Sequence, residues 1–232
     1  MIARYAGGER GARAAARTCS AVVVVDAFRA SATIAVLVFR GARVVPVVSI
    51  EQARTYAGAD LRAGERGSAK VAGFDFGNSP TEILAAEMPV GSTVVLSTTN
   101  GTRVVEAARG APAVVAGSFV NASAVAEELA VVPHGPQVVV VGCGWEGRRA
   151  SEDEAAAGAI LYRLGERGFR LDERAQRVVE AYRSRPAGAL RYNRAARRLK
   201  RLGYERDLDF CLAEDAVLVV PRLVGGVFVG GR

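Results

Sequence analysis

The sequence predicts an α/β fold in which helices join the strands of a largely parallel or mixed β-sheet. Short valine-rich runs alternate with longer alanine-rich segments through most of the 232 residues, as expected when crossover helices connect parallel strands. Half of the residues are apolar, which is enough to bury a sizeable core. We therefore expect the sheet to be buried on both faces.

The individual elements follow from β-branched runs, helical periodicity and the turn residues between them. Strands are predicted at residues 21–25, 43–48, 93–97, 113–116, 137–141 and 216–220, and helices at 31–40, 50–63, 80–87, 102–109, 122–129, 152–167, 172–183 and 189–202. Loops containing proline are predicted at 133–136 and 185–188. No linker rich in proline or serine divides the chain, so residues 19–232 are predicted to form a single α/β domain. Residues 1–18, rich in arginine, alanine and glycine, are predicted to be a flexible tail.

Composition excludes several classes of protein. The three cysteines are odd in number and widely spaced, which argues against a disulfide framework and predicts a cytoplasmic location. No apolar run approaches the roughly 20 residues of a membrane span, and the N terminus lacks the apolar core of a secretory signal. His134 is the only histidine, so a histidine metal cluster is excluded. A metal would be held by oxygen, which favours Mg²⁺.

The formal net charge of +7 and the isoelectric point near 9.8 raise the question of nucleic-acid binding. Lys70 and Lys200 are the only lysines among 31 basic residues, and no recognisable nucleic-acid module accompanies the arginines. Nucleic acid is therefore not an expected partner. A small anionic phosphorylated substrate explains a positive field equally well. Whether the chain forms a homo-oligomer is left open.

The first candidate motif is VVVVDAFRASAT, residues 22–33. An apolar strand ends at Asp26, and Arg29 and Ser31 follow just before a helix can begin. A carboxylate that holds Mg²⁺, a guanidinium that grips two phosphate oxygens and a helix N-terminus suit a phosphate ester. The structural alternative is a salt bridge between Asp26 and Arg29, with Ser31 as a helix cap.

The second motif is GERGSAKVAGFDFGNSP, residues 64–80. Glu65 and Arg66 supply charge, and Asn78 supplies hydrogen-bonding groups beside glycines that permit close backbone approach. Ser79, with the proline and glutamate that follow it, predicts an N-cap and a capping box. That helix N-terminus could still face an anion.

The third motif is LSTTNGTR, residues 96–103. It places Thr99, Asn100, Gly101 and Thr102 between a predicted strand and a predicted helix. A strand, a polar turn containing glycine and a helix make an oxyanion cradle, whereas the alternative is a plain turn. Asn121 follows another strand, and for it a helix cap is favoured over a substrate contact.

The fourth motif is VGCGWEGRRASEDEAAAG, residues 141–158. Its glycines match the dinucleotide-binding spacing, but the polar residues that follow do not suit a helix packed on a sheet. Cys143 and Arg149 match the C-x₅-R spacing of cysteine-dependent phosphatases, although bulky and acidic residues stand between them. Ser151 predicts a helix cap. The carboxylates that follow it exceed what capping needs and could include a ligand of Mg²⁺: Glu152, Asp153 and Glu154.

The order of these motifs is more specific than any one of them. DAFRASAT, GERG, GFDFGNSP, STTNGT, GSFVNASAVA and the segment with SEDE span residues 26–158. Together with GYERDLDFCLAEDAVLVVP at residues 203–221 they resemble the 2-phosphosulfolactate phosphatase family. Two features depart from the family pattern: Ala32 stands where a second hydroxyl residue is expected, and the arginine-rich N terminus has no counterpart.

The resemblance implies a three-layer α/β/α fold and Mg²⁺-dependent hydrolysis of 2-phospho-3-sulfolactate, or a similar small phosphorylated acid, to 3-sulfolactate and phosphate. This reaction is a step towards coenzyme M in organisms that make it. We expect Asp26 and Arg29 to be catalytic, with Asp26 binding Mg²⁺ or acting directly at phosphorus. Metal ligands are expected among Asp26, Glu65, Glu152, Asp153 and Glu154, and substrate contacts among Ser31, Arg66, Asn78, Ser79, Thr99, Asn100, Gly101, Thr102 and Asn121. Two alternatives stay open: a cysteine phosphatase using Cys143 and Arg149, and a non-catalytic protein that binds anions or nucleic acid.

Overall fold

The computed structural model describes residues 1–132, 135–184 and 187–230. His134 and part of the predicted loop at 185–188 lie outside the described residues. The strands are β1 (Ile2–Gly7), β2 (Ala21–Val25), β3 (Arg43–Pro46), β4 (Leu61–Arg66), β5 (Ala69–Lys70), β6 (Thr93–Ser97), β7 (Val114–Ala116), β8 (Gln137–Gly142), β9 (Arg170–Leu171), β10 (Pro221–Val224) and β11 (Val227–Gly230). The α-helices are α1 (Gly8–Arg17), α2 (Ala30–Phe39), α3 (Ile50–Thr55), α4 (Pro80–Ala85), α5 (Gly101–Ala107), α6 (Ala122–Val131), α7 (Ser151–Glu166), α8 (Glu173–Ser184), α9 (Arg194–Arg201) and α10 (Glu205–Cys211).

The described strands form one mixed, mostly parallel sheet in the order β5-β4-β6-β3-β11-β10-β7-β2-β8-β1-β9. The antiparallel hairpin β10–β11 lies between β3 and β7 and joins two parallel groups of strands. At one edge β5 also runs antiparallel to its neighbour β4. The predicted α/β fold with a largely parallel or mixed sheet is confirmed.

The valines of the central strands alternate between two separate cores, as the period of a strand requires. Val22 and Val24 belong to a core shared with α1, α2 and α5. Val23 and Val25 belong to a second core, which α6, α7 and α8 cover. Helices therefore lie on both faces of the sheet, and the three-layer α/β/α arrangement is confirmed.

Helix α2 explains how distant strands come together at one site. Its residues from Ala30 to Val38 are all buried, as expected of a helix that is apolar on every side. It contacts β3, β11, β10 and β7, which are the four strands between β6 and β2 in the sheet order. Gly101, the first residue of α5 after β6, nevertheless lies close to Asp26, which follows β2. A Cβ on Gly101 would lie 2.9 Å from Asp26 Oδ2. The sheet therefore curves around α2.

Several predicted elements differ from the structure. The predicted N-terminal tail is wrong: Ile2–Gly7 is a strand that pairs with β8 along its whole length, and α1 follows it. The helix predicted at 50–63 ends at Thr55, and its last residues belong to β4. The strand predicted at 216–220 is absent from the described residues, where β10 begins at Pro221. The extent of a single domain stays a prediction.

One further difference concerns a helix in the C-terminal part of the chain. Part of the helix predicted at 189–202 is a 3₁₀ helix, Ala187–Tyr192, before α9 begins. Within the ranges that the structure describes, no helix is both long enough and apolar enough to cross a bilayer.

Candidate active site

A narrow polar cavity lies where β2, β4, β6 and β8 end. Ligands bind at this end of the strands in open α/β sheets. The free volume of the cavity is about 20 Å³, which is room for about one water molecule. Its walls combine carboxylates, amides, one arginine and one indole: Asp26, Phe28, Arg29, Glu65, Ser68, Asn78, Asn100, Gly144, Trp145, Glu152 and Asp153.

Asp26 follows directly after the buried strand β2. Its Oδ1 accepts a hydrogen bond of 3.2 Å from the Ala30 N–H, whereas Oδ2 accepts none from the described residues. Burial is the main reason that the pKa of Asp26 is raised to about 7, and the negative charges of Glu65 and Glu152 also raise it. The hydrogen bond from the Ala30 N–H acts in the opposite direction. Near neutral pH, Asp26 can therefore both hold and release a proton.

Glu65 lies on β4, where its carboxylate is fully engaged by neighbouring donors. Oε1 accepts a hydrogen bond from the Thr99 N–H at 2.6 Å, and Oε2 accepts from the Ser68 N–H at 2.7 Å and the Thr99 hydroxyl at 3.1 Å. Thr99, predicted as a substrate contact, therefore orients Glu65 instead. Glu65 joins the loop after β4 to the loop after β6.

The three acidic residues at the start of α7 have three different environments. Asp153 Oδ1 accepts from the Ala27 N–H at 2.8 Å and Oδ2 from the Gly144 N–H at 2.7 Å, so it ties the end of β2 to the end of β8. Burial raises the pKa of Asp153 well above its usual range. Glu154 pairs with Arg149 and does not line the cavity.

Glu152 is the acidic residue of α7 that lines the cavity and retains accepting capacity. Its Oε2 accepts hydrogen bonds from Asn193 Nδ2 at 2.8 Å and from the Ser151 hydroxyl at 3.4 Å. Burial raises the pKa of Glu152 above its usual range, while the Arg198 charge opposes that rise. Glu152 and Asp26 are therefore the carboxylates best placed to receive a cation.

Arg29 lines the cavity, and its guanidinium is held by other groups of the protein. Nη1 lies 2.5 Å from Asp207 Oδ2, and Nη2 donates to the Ser68 carbonyl at 2.7 Å. The guanidinium carbon also lies 4.0 Å from the ring centroid of Tyr204. The alternative salt bridge between Asp26 and Arg29 is wrong, because Asp207 is the partner. The proposed catalytic role of Arg29 stays a prediction.

Three predicted substrate residues serve the backbone around the site instead. The Ser31 hydroxyl accepts from the Asp26 N–H at 2.9 Å and donates to the Val24 carbonyl at 3.0 Å. The Ser79 hydroxyl accepts from the Glu82 N–H as the predicted cap. The Thr102 hydroxyl donates to the Thr98 carbonyl. None of the three lines the cavity, because each hydroxyl is used where the chain turns.

Two other predicted contacts lie outside the cavity. Asn121 is fully buried, accepts from the Ser118 N–H and donates to the Val219 carbonyl at 3.0 Å, so it fixes the end of β7. Arg66 donates to the Ser97 hydroxyl at 2.9 Å and to the Glu65 carbonyl. The prediction that these side chains contact substrate is not supported by their positions.

Asn78 and Asn100 are predicted substrate contacts that do line the cavity. Asn78 is buried, and its Oδ1 has no hydrogen-bond partner in the described part of the chain. An orphaned buried carbonyl oxygen is costly unless a ligand satisfies it. Asn100 also lines the cavity and accepts from the Glu146 N–H at 3.3 Å.

Across residues 1–132, 135–184 and 187–230, no three His, Cys, Asp or Glu side chains form a group able to hold a metal ion by themselves. Mg²⁺ needs no such group, because it is usually bound through one or two carboxylates together with water and substrate phosphate. Asp26, Glu152 and the orphaned Asn78 Oδ1 supply oxygen atoms of the kind that Mg²⁺ prefers. The residues present therefore fit Mg²⁺ in this limited sense.

Sequence reasoning missed the residues that come from the C-terminal half. Arg198 belongs to none of the sequence motifs, yet its guanidinium carbon lies 3.7 Å from the ring centroid of Trp145 and its Nε donates to the Ser68 hydroxyl at 2.8 Å. Asp207 and Tyr204 hold Arg29. The motif GYERDLDF, which contains two of these residues, was the available signal.

Cys143 has the opposite of the environment that a thiolate nucleophile needs. It is buried, and burial together with the Asp26 and Asp153 charges raises the pKa of its thiol well above the usual range. Arg149, its candidate phosphate-binding partner, pairs with Glu154 and is largely exposed. Reactive cysteines instead have a lowered pKa. These observations do not favour the cysteine phosphatase alternative.

Comparison with known proteins identifies the family of the chain. The family model of 2-phosphosulpholactate phosphatase matches residues 9–226. A protein of Thermotoga petrophila is 39% identical over 214 residues, 91% of this chain and 92% of its own. Proteins of Thermosynechococcus vestitus and Carboxydothermus hydrogenoformans are 38% and 39% identical, over 86% and 87% of this chain and 87% and 85% of theirs. All three are named "Probable 2-phosphosulfolactate phosphatase". The chain belongs to the 2-phosphosulfolactate phosphatase family of phosphoric monoester hydrolases.

Proposed function

We propose that the chain hydrolyses 2-phospho-3-sulfolactate to 3-sulfolactate and phosphate, with Mg²⁺ as cofactor, in the cavity beside Asp26. The family match and the names of the relatives support the substrate. One observation supports the choice of this cavity. Asp26 and Asn78 both line it, and neither Asp26 Oδ2 nor Asn78 Oδ1 has a hydrogen-bond partner among the described residues. Free oxygen atoms of this kind are what a bound cation would use.

Mg²⁺, when bound, would neutralise charge on the phosphoryl oxygens and orient them. Asp26, Glu152 and Asn78 are its proposed ligands. Glu65 and Asp153 would act indirectly, since their oxygens already accept hydrogen bonds that fix the surrounding loops.

The chain's own groups would supply positioning, charge and proton transfer. A phosphomonoester breaks its P–O bond through a loose transition state, so fixed charges can provide most of the lowering of the barrier. Arg29 offers such a charge, because Asp207 and the Ser68 carbonyl prevent its movement. The Asp26 carboxylate would accept a proton from the attacking water, or it would attack phosphorus, displace the alkoxide of the substrate and form an aspartyl phosphate that water then hydrolyses. Both roles stay open.

The cavity must widen before a phosphorylated three-carbon acid can enter, because it now has room for about one water molecule. Trp145 forms part of its wall and Arg198 stacks on Trp145. We propose that displacement of this pair admits the substrate. The Arg198 charge, which acts on both Glu65 and Glu152, would then be available to the sulfonate or carboxylate.

The proposal extends to a cytoplasmic enzyme that takes part in a route to coenzyme M where the host makes it. The absence of disulfides among the described cysteines supports this location.

The test is phosphate release from racemic 2-phospho-3-sulfolactate, phosphoglycolate, phospholactate and an aryl phosphate, each with Mg²⁺ and with excess EDTA. We expect release that is selective for phosphosulfolactate and abolished by EDTA. Release that resists EDTA would contradict the role of Mg²⁺. Equal release from all four compounds would contradict the substrate assignment.

A further inference from the structure

A second cavity, of about 500 Å³, lies beside β1 on the far side of the loop that follows β8. It is separate from the candidate active site and shares only Gly144 and Asp153 with it. The end of β1, the start of α1 and the loop at 142–150 form most of its wall, together with the first turn of α8. Five arginines line it: Arg10, Arg17, Arg148, Arg149 and Arg174.

The cavity carries an unbalanced positive charge. Within residues 1–132, 135–184 and 187–230, Arg10, Arg17, Arg148 and Arg174 form no ion pair, whereas Arg149 pairs with Glu154. The acidic residue of the wall, Asp153, accepts hydrogen bonds from two backbone N–H groups, those of Ala27 and Gly144. Such a concentration of arginine attracts anions and can bind phosphate oxygens in pairs.

The N-terminus of α1 adds backbone donors to this charge. Gly8 has φ of +62°, and the N-cap residue Gly7 has no side chain that could accept from the first N–H groups of the helix. These groups carry the positive end of the helix dipole. Glu9, the acidic residue of the first turn, pairs with Arg13 instead of capping the helix.

Tyr5 gives an independent indication of a ligand. Its side chain lines the cavity although the residue is only 8% exposed, and its hydroxyl has no hydrogen-bond partner in the described part of the chain. The hydroxyl is therefore free to form a hydrogen bond with an oxygen atom of a ligand in this cavity. Burial raises the pKa of Tyr5, while the Arg149 and Arg174 charges lower it. The hydroxyl therefore keeps its proton and can donate a hydrogen bond.

We propose that this cavity is a second anion site, which binds a small molecule carrying two or more phosphate groups. Several arginines, free helix N–H groups and the Tyr5 hydroxyl converge on a space of about 500 Å³, larger than a single phosphate requires. The loop at 142–150 lies between this site and the candidate active site. Arg148 and Gly144 belong to this loop and line the second cavity, so a ligand bound there would contact both.

The probe is inorganic pyrophosphate, titrated calorimetrically into the full chain in the presence of EDTA. EDTA prevents a metal ion from joining pyrophosphate to the candidate active site, and the variants below, which leave the residues of that site unchanged, assign the heat to the second cavity. We expect saturable binding that weakens about tenfold or more in the double variant Arg10→Ala/Arg174→Ala. Tyr5→Phe, which removes only the hydroxyl, should weaken it by about tenfold as well.

The matched control is Arg13→Ala/Arg177→Ala. These arginines lie on α1 and α8 outside the cavity, are exposed, and pair with Glu9 and Glu173, so the change in net charge is the same. We expect this control to bind as the unmodified chain does. Equal weakening in both double variants would show diffuse attraction and overturn the proposal. Unchanged binding in Tyr5→Phe or in Arg10→Ala/Arg174→Ala would overturn it as well.

Discussion

Arg29 and Asp207 form a buried ion pair, with 2.5 Å between Nη1 and Oδ2 and neither side chain more than 1% exposed. Asp207 also accepts hydrogen bonds from the Ser79 hydroxyl at 2.8 Å and from Thr81. One carboxylate on α10 therefore fixes both the arginine of the cavity and the start of α4. The C-terminal helices therefore help to position residues of the candidate active site.

Asp207→Asn should destabilise the chain strongly, because it leaves the buried guanidinium of Arg29 without a counter-charge. Loss of one partner of a buried pair costs about 3–5 kcal/mol, which can be measured by denaturant unfolding. Asp209→Asn is the control, since its exposed pair with Arg191 should contribute no more than about 1 kcal/mol. Similar small losses in both variants would contradict the structural role of Asp207.

Glu152→Gln should weaken binding of Mg²⁺ by about 10- to 100-fold, because it removes a carboxylate that lines the cavity. Glu154→Gln makes the same change two residues later on α7, outside the cavity, and should leave the affinity unchanged. Calorimetric titration of the metal-free chain with Mg²⁺ compares the two. A larger effect of Glu154→Gln would refute the proposed ligand assignment.

The pKa of Asp26 predicts how stability without a metal ion depends on pH. The pKa of Asp26 is about 7 in the folded chain, whereas its ordinary value is 3.8. Between these two pH values the Asp26 carboxyl group is protonated in the folded chain and ionised in the unfolded chain. This contribution therefore destabilises the folded chain increasingly as pH rises from about 4 to about 7. In EDTA, the free energy of unfolding of the unmodified chain should fall relative to that of Asp26→Asn between pH 5 and pH 8.

Mg²⁺ provides the control for this pH effect. A ligand that binds only the folded state stabilises it, and the deprotonated carboxylate is the form that binds the cation. Mg²⁺ should therefore raise the unfolding free energy more at pH 8 than at pH 5. A pH-independent difference between the unmodified chain and Asp26→Asn would show that Asp26 titrates normally.

Trp145 is the only tryptophan of the chain, so its fluorescence reports directly on the wall of the cavity. Addition of Mg²⁺ and phosphate should change its emission if Arg198 is displaced from its ring. Arg198→Ala should remove much of this response and raise KM for phosphosulfolactate by about tenfold or more, the loss expected for one charge-assisted contact. Arg197→Ala, an exposed neighbour on α9, is the matched control. Equal responses in both variants would contradict a role for Arg198.

The parallel core of the fold could be predicted because its strands are continuous runs rich in valine that are bounded by turn residues. Residues 21–25 and 93–97 were located to the residue. The N-terminal strand was missed because IARYAG lacks such a run, and its position is set by pairing with β8. The hairpin β10–β11 was missed although Gly225 and Gly226 both have positive φ, the conformation that a two-residue hairpin turn favours.

The candidate site could be predicted only as far as local motifs reach. Asp26 follows a predicted strand, so its position at the end of the sheet follows from the topology. Glu65 and Asn78 were indicated only by the polar motif that contains them, because β4 was not predicted. Hydrogen-bond partners did not follow: Ser31, Thr102 and Asn121 look like ligand contacts in sequence, yet each bonds a nearby turn or strand end. Arg198 and Asp207 come from distant helices, and no local pattern indicates where such helices pack.

The most direct test of the central claim compares phosphate release from 2-phospho-3-sulfolactate by the unmodified chain, by Asp26→Asn and by Asp209→Asn, each with Mg²⁺. If Asp26 binds the metal or acts at phosphorus, Asp26→Asn should lower kcat/KM by about 10²- to 10⁴-fold, while Asp209→Asn should match the unmodified chain. Full activity of Asp26→Asn with an unchanged dependence on Mg²⁺ would contradict the placement of catalysis in this cavity.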